Sequence, residues 1–301
     1  MRGDLCRLIY EASNHRAKYI FDATIESFHQ SDSAVEVRFA DGRTDHFDLL
    51  VGADGQGSRT RKLLVGPDAD GFLPLGGSYM GYFTIPRPVK EGEEYIATMY
   101  IAPGRRFIMT RRHSPHEMQV YLACSTNSED LKNARGDVKV QKEILTELFQ
   151  GAGWQTEEIL KALNESDDVY LETQGLVKVG AWSQGRVVLV GDAAYCPSAN
   201  TGMGTTSAMV GAYILAGEIG RHCGSSDEDN TDSGKGLATA LEAYDRKFRP
   251  FMDQVQKGIS KDNYGGMPSS AFGVAIWNWA IGLAALLRLN VFGEWILKEK
   301  G

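Results

Sequence analysis

The sequence predicts a mixed α/β fold with α+β character, in which helices surround one sheet and a second sheet is antiparallel. Two segments that are apolar apart from Asp48 and Arg186, residues 47–51 and 186–190, predict buried strands, and a turn with Asp and Gly follows each of them. Residues 78–124 contain four β-rich runs separated by Pro, Gly and charged residues, which indicates an antiparallel sheet. Four other segments carry apolar residues at helical spacing: 138–151, 156–163, 205–221 and 236–257.

Local signals predict the remaining elements. Apolar residues at helical spacing predict a helix within residues 1–17. Residues 35–39 alternate apolar and polar side chains and lead into an Asp-Gly pair, which is typical of a hairpin turn. Pro250 is expected to interrupt the helix predicted in residues 236–257. Residues 225–235 are acidic and polar, and they predict a mobile surface loop.

The composition excludes several classes of protein. Hydrophobic residues make up 43% and charged residues 24% of the 301 residues, which is typical of a globular protein. Lys and Arg number 32 against 39 Asp and Glu, a net charge of −7, so no nucleic-acid partner is expected. The four cysteines form no CxxC pair and the six histidines have no metal-binding spacing. We therefore expect reduced thiols in an intracellular, cytoplasmic protein and no metal site.

Residues 271–287 form an almost wholly apolar segment in which Asn278 is the single polar side chain. The segment is shorter than the roughly 20 residues that a membrane-spanning helix needs. We expect a C-terminal helix buried on the body of the protein. The alternative is a monotopic anchor, which would give the chain peripheral contact with a membrane surface.

The first motif with chemical meaning follows the predicted strand 47–51. Asp54 and Gly55 stand where a strand of an α/β sheet ends, which is the edge at which such sheets bind ligands. Ser58 is placed to cap a helix that carries Arg59 and Arg61. A strand that ends in Ala-Asp-Gly is more often only a turn, so this motif alone does not decide a function.

The second motif follows the predicted strand 186–190 and is more specific. Gly191 and Asp192 come directly after the strand, and small residues then lead to Gly202-Met203-Gly204-Thr205 at the start of a helix. The free N–H groups of a helix start favour a negative charge or an electron-rich atom. A carboxylate at position 192 would accept hydrogen bonds from sugar-like hydroxyls.

Together the two motifs resemble those of the FAD-dependent monooxygenases of the aromatic-hydroxylase-like (group A) family, in particular the branch of the tetracycline-inactivating enzymes. The resemblance extends from residue 2 to about residue 258. The residues that it assigns to FAD binding are Arg2, Asp54, Gly55, Gly191, Asp192, Gly202, Met203, Gly204 and Thr205.

The resemblance also implies a role for each group of residues. Asp54 would lie near the FAD pyrophosphate and Asp192 at the ribityl hydroxyls. The helix start at Gly204 would face the pyrimidine edge of the flavin, and Arg2 would open a helix that contacts FAD. No catalytic side chain is assigned.

The domains and the reaction are also implied by the resemblance. It predicts a partial Rossmann-like, FAD-binding portion in residues 1–72 and 165–258, a substrate domain with an antiparallel sheet in 73–164, and a C-terminal helical segment in 259–301. NAD(P)H would reduce the flavin, and a flavin C4a-hydroperoxide formed with O₂ would hydroxylate or epoxidise a small, aromatic or polycyclic organic molecule, as in secondary metabolism. A flavin-dependent cyclase or oxidase acting on a natural product is an alternative.

The sequence departs from the family pattern in one large respect. The family begins with a βαβ unit carrying GxGxxG, and this sequence has no such unit. Three explanations of this absence are open. The sequence is a fragment or incomplete gene product, it is a relative that works without FAD as a binding or interaction module, or a partner chain supplies the missing unit. Tyr195 also stands where the family usually has His, and Ala199 where it often has Pro.

Two further groups of residues have structural or functional interpretations. A basic cluster is expected to be a solvated turn, or else a site for an anionic substrate or the NADPH phosphates; its members are Arg105, Arg106, Arg111 and Arg112. Tyr82, Tyr95 and Tyr100 alternate along predicted strands. They are expected to pack within the sheet, and any of them could instead line a substrate cavity.

Overall fold

The computed structural model describes residues 2–126, 128–134, 136–224, 233–259 and 267–287. The chain divides into two compact units: unit 1 is formed by Met1–Leu75 and Gly175–Lys261, and unit 2 by Gly76–Gln174 and Asp262–Gly301. Both units combine helices with strands, which confirms the mixed α/β fold class. The functional names given to the predicted domains stay predictions. Residues 225–232 of the predicted loop, and residues 260–266 and 288–301 of the predicted C-terminal segment, lie outside the described residues. Residues 233–235, which were predicted as the end of that loop, are helical instead.

The strands of the described residues form three sheets. They are β1 (Ile25–Gln30), β2 (Val35–Phe39), β3 (Thr44–Phe47), β4 (Leu50–Gly52), β5 (Phe72–Pro86), β6 (Ala97–Ala102), β7 (Arg106–Arg112), β8 (Glu117–Ser125), β9 (Tyr170–Val177), β10 (Ser183–Gln184) and β11 (Val187–Leu189).

The helices of the same residues include every segment predicted to be helical. They are α1 (Arg2–Ser13), α2 (Arg59–Val65), α3 (Glu129–Asn133), α4 (Val138–Phe149), α5 (Thr156–Glu165), α6 (Asp192–Tyr195), α7 (Gly204–Cys223), α8 (Ser233–Val255) and α9 (Ala271–Leu286). Short 3₁₀ helices lie at Pro67–Ala69 and Ala199–Thr201.

Unit 1 contains two three-stranded sheets. The first has the order β1-β2-β3 and is antiparallel, with the predicted hairpin turn between β2 and β3. The second has the order β10-β11-β4, in which β11 and β4 run parallel. The three residues of β11 are fully buried, which confirms the predicted buried strand at 186–190.

Two predictions for unit 1 were wrong in detail. Residues 47–51 do not form one buried strand, because β3 ends at Phe47 and β4 begins at Leu50. Leu50 faces the core, whereas Val51 points to the opposite side of the sheet and is 41% exposed.

The helix predicted to break at Pro250 continues through this residue. Phe248 and Met252, on either side of this proline, are both buried, so core packing stabilises α8 despite the lost hydrogen bond.

An aromatic cluster forms the core of unit 1 beside α7. The ring of Trp182 lies 4.6 Å from that of Tyr195 and 5.4 Å from that of Tyr244, between ring centroids. The Tyr244 hydroxyl donates to the Leu189 carbonyl over 3.1 Å. Burial raises the pKa of both tyrosines, so both hydroxyls stay protonated. The space for Tyr195 exists because Gly211 of α7 has no side chain: a Cβ there would lie 1.9 Å from the Tyr195 Oη.

Unit 2 is built on a five-stranded sheet with the order β6-β7-β8-β5-β9. The β-rich runs predicted in residues 78–124 are the strands from β5 to β8, and the observed pairings β5–β8, β6–β7 and β7–β8 are antiparallel. Helices α4 and α5 cover one face of this sheet through an apolar core that includes Leu122, Leu145 and Phe149.

Helix α9 corrects the prediction of a buried C-terminal helix, since none of its residues is buried. Its side chains are apolar on every side of the helix, and neither face of it is covered by a core of unit 2. In the described part of the chain, no helix combines the length and hydropathy of a membrane-spanning segment.

We predict that Gly211→Ala destabilises unit 1 by about 1–3 kcal/mol, because the added methyl group would overlap the Tyr195 hydroxyl. Gly217→Ala in the same helix is the matched control, since a Cβ there meets no atom within 4 Å. It should leave the Tm unchanged or raise it slightly. Thermal unfolding followed by circular dichroism checks both variants, and equal Tm values for the two would contradict the packing described here.

Candidate functional site

The parallel pairing of β4 with β11 brings the two sequence motifs to one edge of a sheet. Leu50 pairs with Val187 and Gly52 with Leu189, and the Val190 N–H donates to the Gly52 carbonyl over 2.9 Å. Because parallel strands end at the same edge, the chain after β4 and the chain after β11 leave the sheet side by side. These are the segments that contain Asp54 and Asp192.

Asp54 organises the loop in which it lies. Its carboxylate accepts hydrogen bonds from Ser58 Oγ over 2.5 Å, from the Thr60 N–H over 2.9 Å and from Thr60 Oγ1 over 3.1 Å. Partial burial raises the pKa of Asp54, but these hydrogen bonds outweigh the effect and hold the pKa below its ordinary value. Ser58 also accepts from the Arg61 N–H and caps α2, as predicted.

Arg61 joins the two motifs, a role that the sequence analysis missed. Its side chain is 0% exposed, and its guanidinium donates to the Gln56 carbonyl over 2.7 Å and to the Ala193 carbonyl over 2.9 Å. Asp70 lies 3.8 Å away. Burial lowers the pKa of Arg61 and the charge of Asp70 opposes this effect, so the group remains a cation. In the sequence, Arg61 is only an arginine in the first turn of a short predicted helix. The side chain of such an arginine is usually exposed to solvent.

Gly191 and Asp192 form the turn from β11 into α6. Gly191 has φ 63° and ψ −143°, a conformation that side chains disfavour, and a Cβ there would lie 3.3 Å from the Ala208 Cβ. Glycine therefore allows a tight turn beside α7. Asp192 is partly buried at the first position of α6.

The segment from Cys196 to α7 is held in an unusual conformation. Ser198 has φ 69°, in the left-handed region that a serine rarely adopts, and Gly202 has φ 64°. Buried Gln256 donates to the carbonyls of Tyr195 and Cys196 over 3.2 and 2.9 Å, which fixes the start of this segment. Strain of this kind is typical of loops with a binding role.

The start of α7 has the features of a site for an anion or an electron-rich atom. Its N-cap residue, Met203, makes no side-chain hydrogen bond to the first N–H groups of the helix. A Cβ built on Gly202 or Gly204 would meet no atom within 4 Å, so there is open space beside both residues. The N–H groups of Gly204 and Thr205 belong to this positive end of the helix dipole.

The remaining predicted site residues are Arg2 and Gly55. Arg2 is the first residue of α1, and its side chain lies outside the described part of the structure. Gly55 has φ 79°, as its turn requires, and a Cβ there would also meet no atom within 4 Å. Within the described residues, no three side chains of His, Cys, Asp or Glu are arranged to hold a metal ion.

The basic cluster of unit 2 divides into separate structural roles. Arg106 donates to three carbonyls, those of Pro103, Leu148 and Gln150. Arg112 is buried and pairs with Glu93 at 3.0 Å. Arg105 and Arg111 are exposed. The four arginines therefore do not form one anion site.

Two of the tyrosines predicted to alternate along strands, Tyr82 and Tyr100, are on opposite faces of the sheet of unit 2. The third, Tyr95, precedes β6 and is 57% exposed, so its prediction was wrong. Tyr100 stacks on Trp154 at 5.5 Å and donates to the Ala152 carbonyl over 2.9 Å on the helix-covered side. Tyr82 packs against Tyr121 and Tyr170 at 5.3 and 6.0 Å on the other side. A cavity of about 110 Å³ beside Tyr82 and Tyr121 is too small for more than part of an organic ligand.

Comparison with known proteins decides the family. Residues 4–257 match the model of the FAD binding domain. The chain is 47% identical to the FAD-dependent monooxygenase asL4 of Sarocladium schorii over 99% of its own length and 72% of that protein. The chain belongs to the family of FAD-dependent monooxygenases.

Two further similar proteins support the same assignment. The flavin-dependent monooxygenase eupH of a Phoma species is 38% identical over 97% of this chain and 70% of its own length. The crystal structure of tetracycline destructase Tet(51) superposes with a TM-score of 0.73 at 32% identity, over 85% of this chain and 64% of the destructase. The family predicted from the two motifs is therefore confirmed. The chain spans about two thirds to three quarters of the length of these relatives.

We predict that Arg61→Met destabilises unit 1 by about 2 kcal/mol, because the carbonyls of Gln56 and Ala193 lose their shared donor. Arg61→Lys should recover only part of this loss, since an ammonium group cannot reproduce the fork of the guanidinium. Urea unfolding of both variants measures the effect. An unchanged free energy of unfolding for Arg61→Met would show that Arg61 does not hold the two motifs together.

Proposed function

We propose that this chain binds FAD at the edge of the sheet formed by β4 and β11. We further propose that it takes part in monooxygenation of a small aromatic or polycyclic molecule, with O₂ and NAD(P)H as co-substrates. One observation carries the proposal: two motifs more than 130 residues apart in sequence end at the same edge of one sheet and are joined there by Arg61.

The residues at this edge fit the chemistry of the flavin half of FAD. Ribityl hydroxyls need an acceptor, and the carboxylate of Asp192 is one. The pyrimidine edge of a reduced flavin is electron-rich, and the uncapped N–H groups at Gly204 and Thr205 suit such an edge. The open space beside Gly202 and Gly204 allows a ligand to approach the backbone.

FAD supplies the redox chemistry by which NAD(P)H and O₂ place one oxygen atom in an organic molecule. The residues of this chain contribute binding and electrostatics. In this proposal Asp192 orients the ribityl chain, and the N–H groups at Gly204 and Thr205 stabilise negative charge beside the flavin ring. Gly191, Gly202 and Met203 shape the loop that holds these groups in place.

Asp54 has a different part in this proposal. Its carboxylate is already engaged by Ser58 and Thr60, and two anions repel each other, so direct contact with a pyrophosphate is unfavourable. We propose that Asp54 holds the loop and reaches the cofactor only through a hydroxyl or a cation. Gly55 has no side chain, so in this proposal a ligand can approach the backbone of that loop.

The proposed substrate class has two supports. One structure in the comparison is named a tetracycline destructase, and tetracycline is a polycyclic molecule that contains an aromatic ring. In addition, Tyr82, Tyr121 and Tyr170 form an aromatic cluster on the sheet face of unit 2 that α4 and α5 do not cover. Flat rings stack well on such clusters.

The visible absorption spectrum of the purified full chain, with and without added FAD, tests the proposal. We expect a protein-bound flavin band, and Asp192→Ala should weaken FAD binding at least tenfold. Asp68→Ala, which removes an exposed carboxylate in the same unit, is the control and should bind FAD as the unchanged chain does. NADPH should then bleach the bound flavin, and O₂ should restore the band.

Two results would contradict the proposal. The absence of bound flavin at excess FAD would show that this chain alone does not form the proposed flavin site. Equal FAD affinity for Asp192→Ala and the unchanged chain would refute the role of Asp192.

A further inference from the structure

Helix α9 is apolar apart from Asn278 and is exposed along most of its length. It has 16 residues without a charged side chain, and none of them is buried. Phe272, Trp279 and Leu286 are 75%, 69% and 79% exposed. Single exposed apolar residues are ordinary, but a continuous apolar surface of this size indicates an interaction site.

The base of α9 is fixed to unit 2. The Gly104 N–H donates to the Ser269 carbonyl over 2.9 Å, and the Arg105 N–H donates to the Pro268 carbonyl over 3.1 Å. Ser270 caps the helix by accepting from the Gly273 N–H. The helix therefore has a defined attachment at the turn between β6 and β7.

The distribution of apolar residues around α9 indicates what covers it. Phe272, Ile276 and Trp279 share one side of the helix by their spacing, whereas Trp277 and Ile281 lie on the opposite side. All five are exposed. A protein partner, including a second copy of this chain, would cover one side and leave the other in water. Lipid acyl chains surround a helix on all sides, and a helix that is apolar all round is typical of such an environment.

We propose that α9 inserts into a lipid bilayer and attaches the chain to a membrane surface. The backbone of its middle turns can enter hydrocarbon because the N–H and C=O groups there are paired within the helix. A helix of 16 residues is about 24 Å long, less than the roughly 30 Å of bilayer hydrocarbon.

The charge near the base of α9 indicates the kind of lipid. Arg105, whose backbone N–H donates to the Pro268 carbonyl, is exposed. A positive side chain at the base of an inserted helix attracts anionic headgroups. We therefore expect a preference for bilayers that contain phosphatidylserine over those of phosphatidylcholine alone, although the whole chain carries a net charge of −7.

Flotation of the full chain with phosphatidylcholine vesicles, with and without phosphatidylserine, tests the proposal. The chain should float with the vesicles and remain bound at high salt. Salt screens interactions between charges and does not weaken the burial of apolar side chains. Ile276→Glu and Trp279→Glu should each reduce the partition coefficient at least about tenfold. Both positions are exposed, so folding should be preserved. Val138→Glu, at an exposed apolar position of α4, is the control and should float as the unchanged chain does.

A second measurement separates lipid insertion from association between proteins. Vesicles with brominated acyl chains should quench the tryptophan fluorescence of the chain, and less so in a Trp277→Phe/Trp279→Phe variant. Failure to float, or equal flotation of Ile276→Glu and the unchanged chain, would overturn the proposal. So would lipid-free dimers in analytical ultracentrifugation that Ile276→Glu dissociates, since α9 would then be covered by a second copy.

Discussion

The parallel pairing of β4 and β11 is the constraint on which the candidate site depends. Each strand has only three residues. Their parallel direction nevertheless ensures that the chain leaves both at one edge, although Gly52 and Leu189 are far apart in sequence. An antiparallel pairing of the same strands would send Asp54 and Asp192 to opposite ends of the sheet, and the two motifs could not contribute to one binding site.

Two buried polar side chains convert this pairing into a fixed arrangement. Arg61 donates to one carbonyl in each motif, those of Gln56 and Ala193. Gln256 of unit 1 donates to the carbonyls of Tyr195 and Cys196, which precede the left-handed Ser198. Each donates to carbonyls in turns or at the short helix α6, and a buried carbonyl that lost all its partners would be costly. The helix that begins at Gly204 is aligned by the packing of Tyr195 against Gly211. Buried contacts in the core of unit 1 thus fix the loops and the helix start that form the candidate site.

The sequence predicted the parts of this structure that depend on local pattern. The fully buried residues of β11, the capping of α2 by Ser58 and the antiparallel strands of residues 78–124 all follow from short-range signals. The role of Arg61 could not be predicted in this way. Its partners are backbone carbonyls that the fold brings close to it, and every residue has such a carbonyl, so the residue types give no signal. The split between β3 and β4, the continuation of α8 through Pro250 and the exposure of α9 were also missed, since tertiary contacts decide them.

Hydrogen–deuterium exchange of the full chain, with and without FAD, tests the central claim most directly. If both motifs bind one cofactor, FAD should slow exchange of backbone amides in residues 53–60 and 198–207 together, at one FAD concentration. Protection of only one of the two segments, while absorption shows that FAD is bound, would contradict the account of a single site at the edge of β4 and β11.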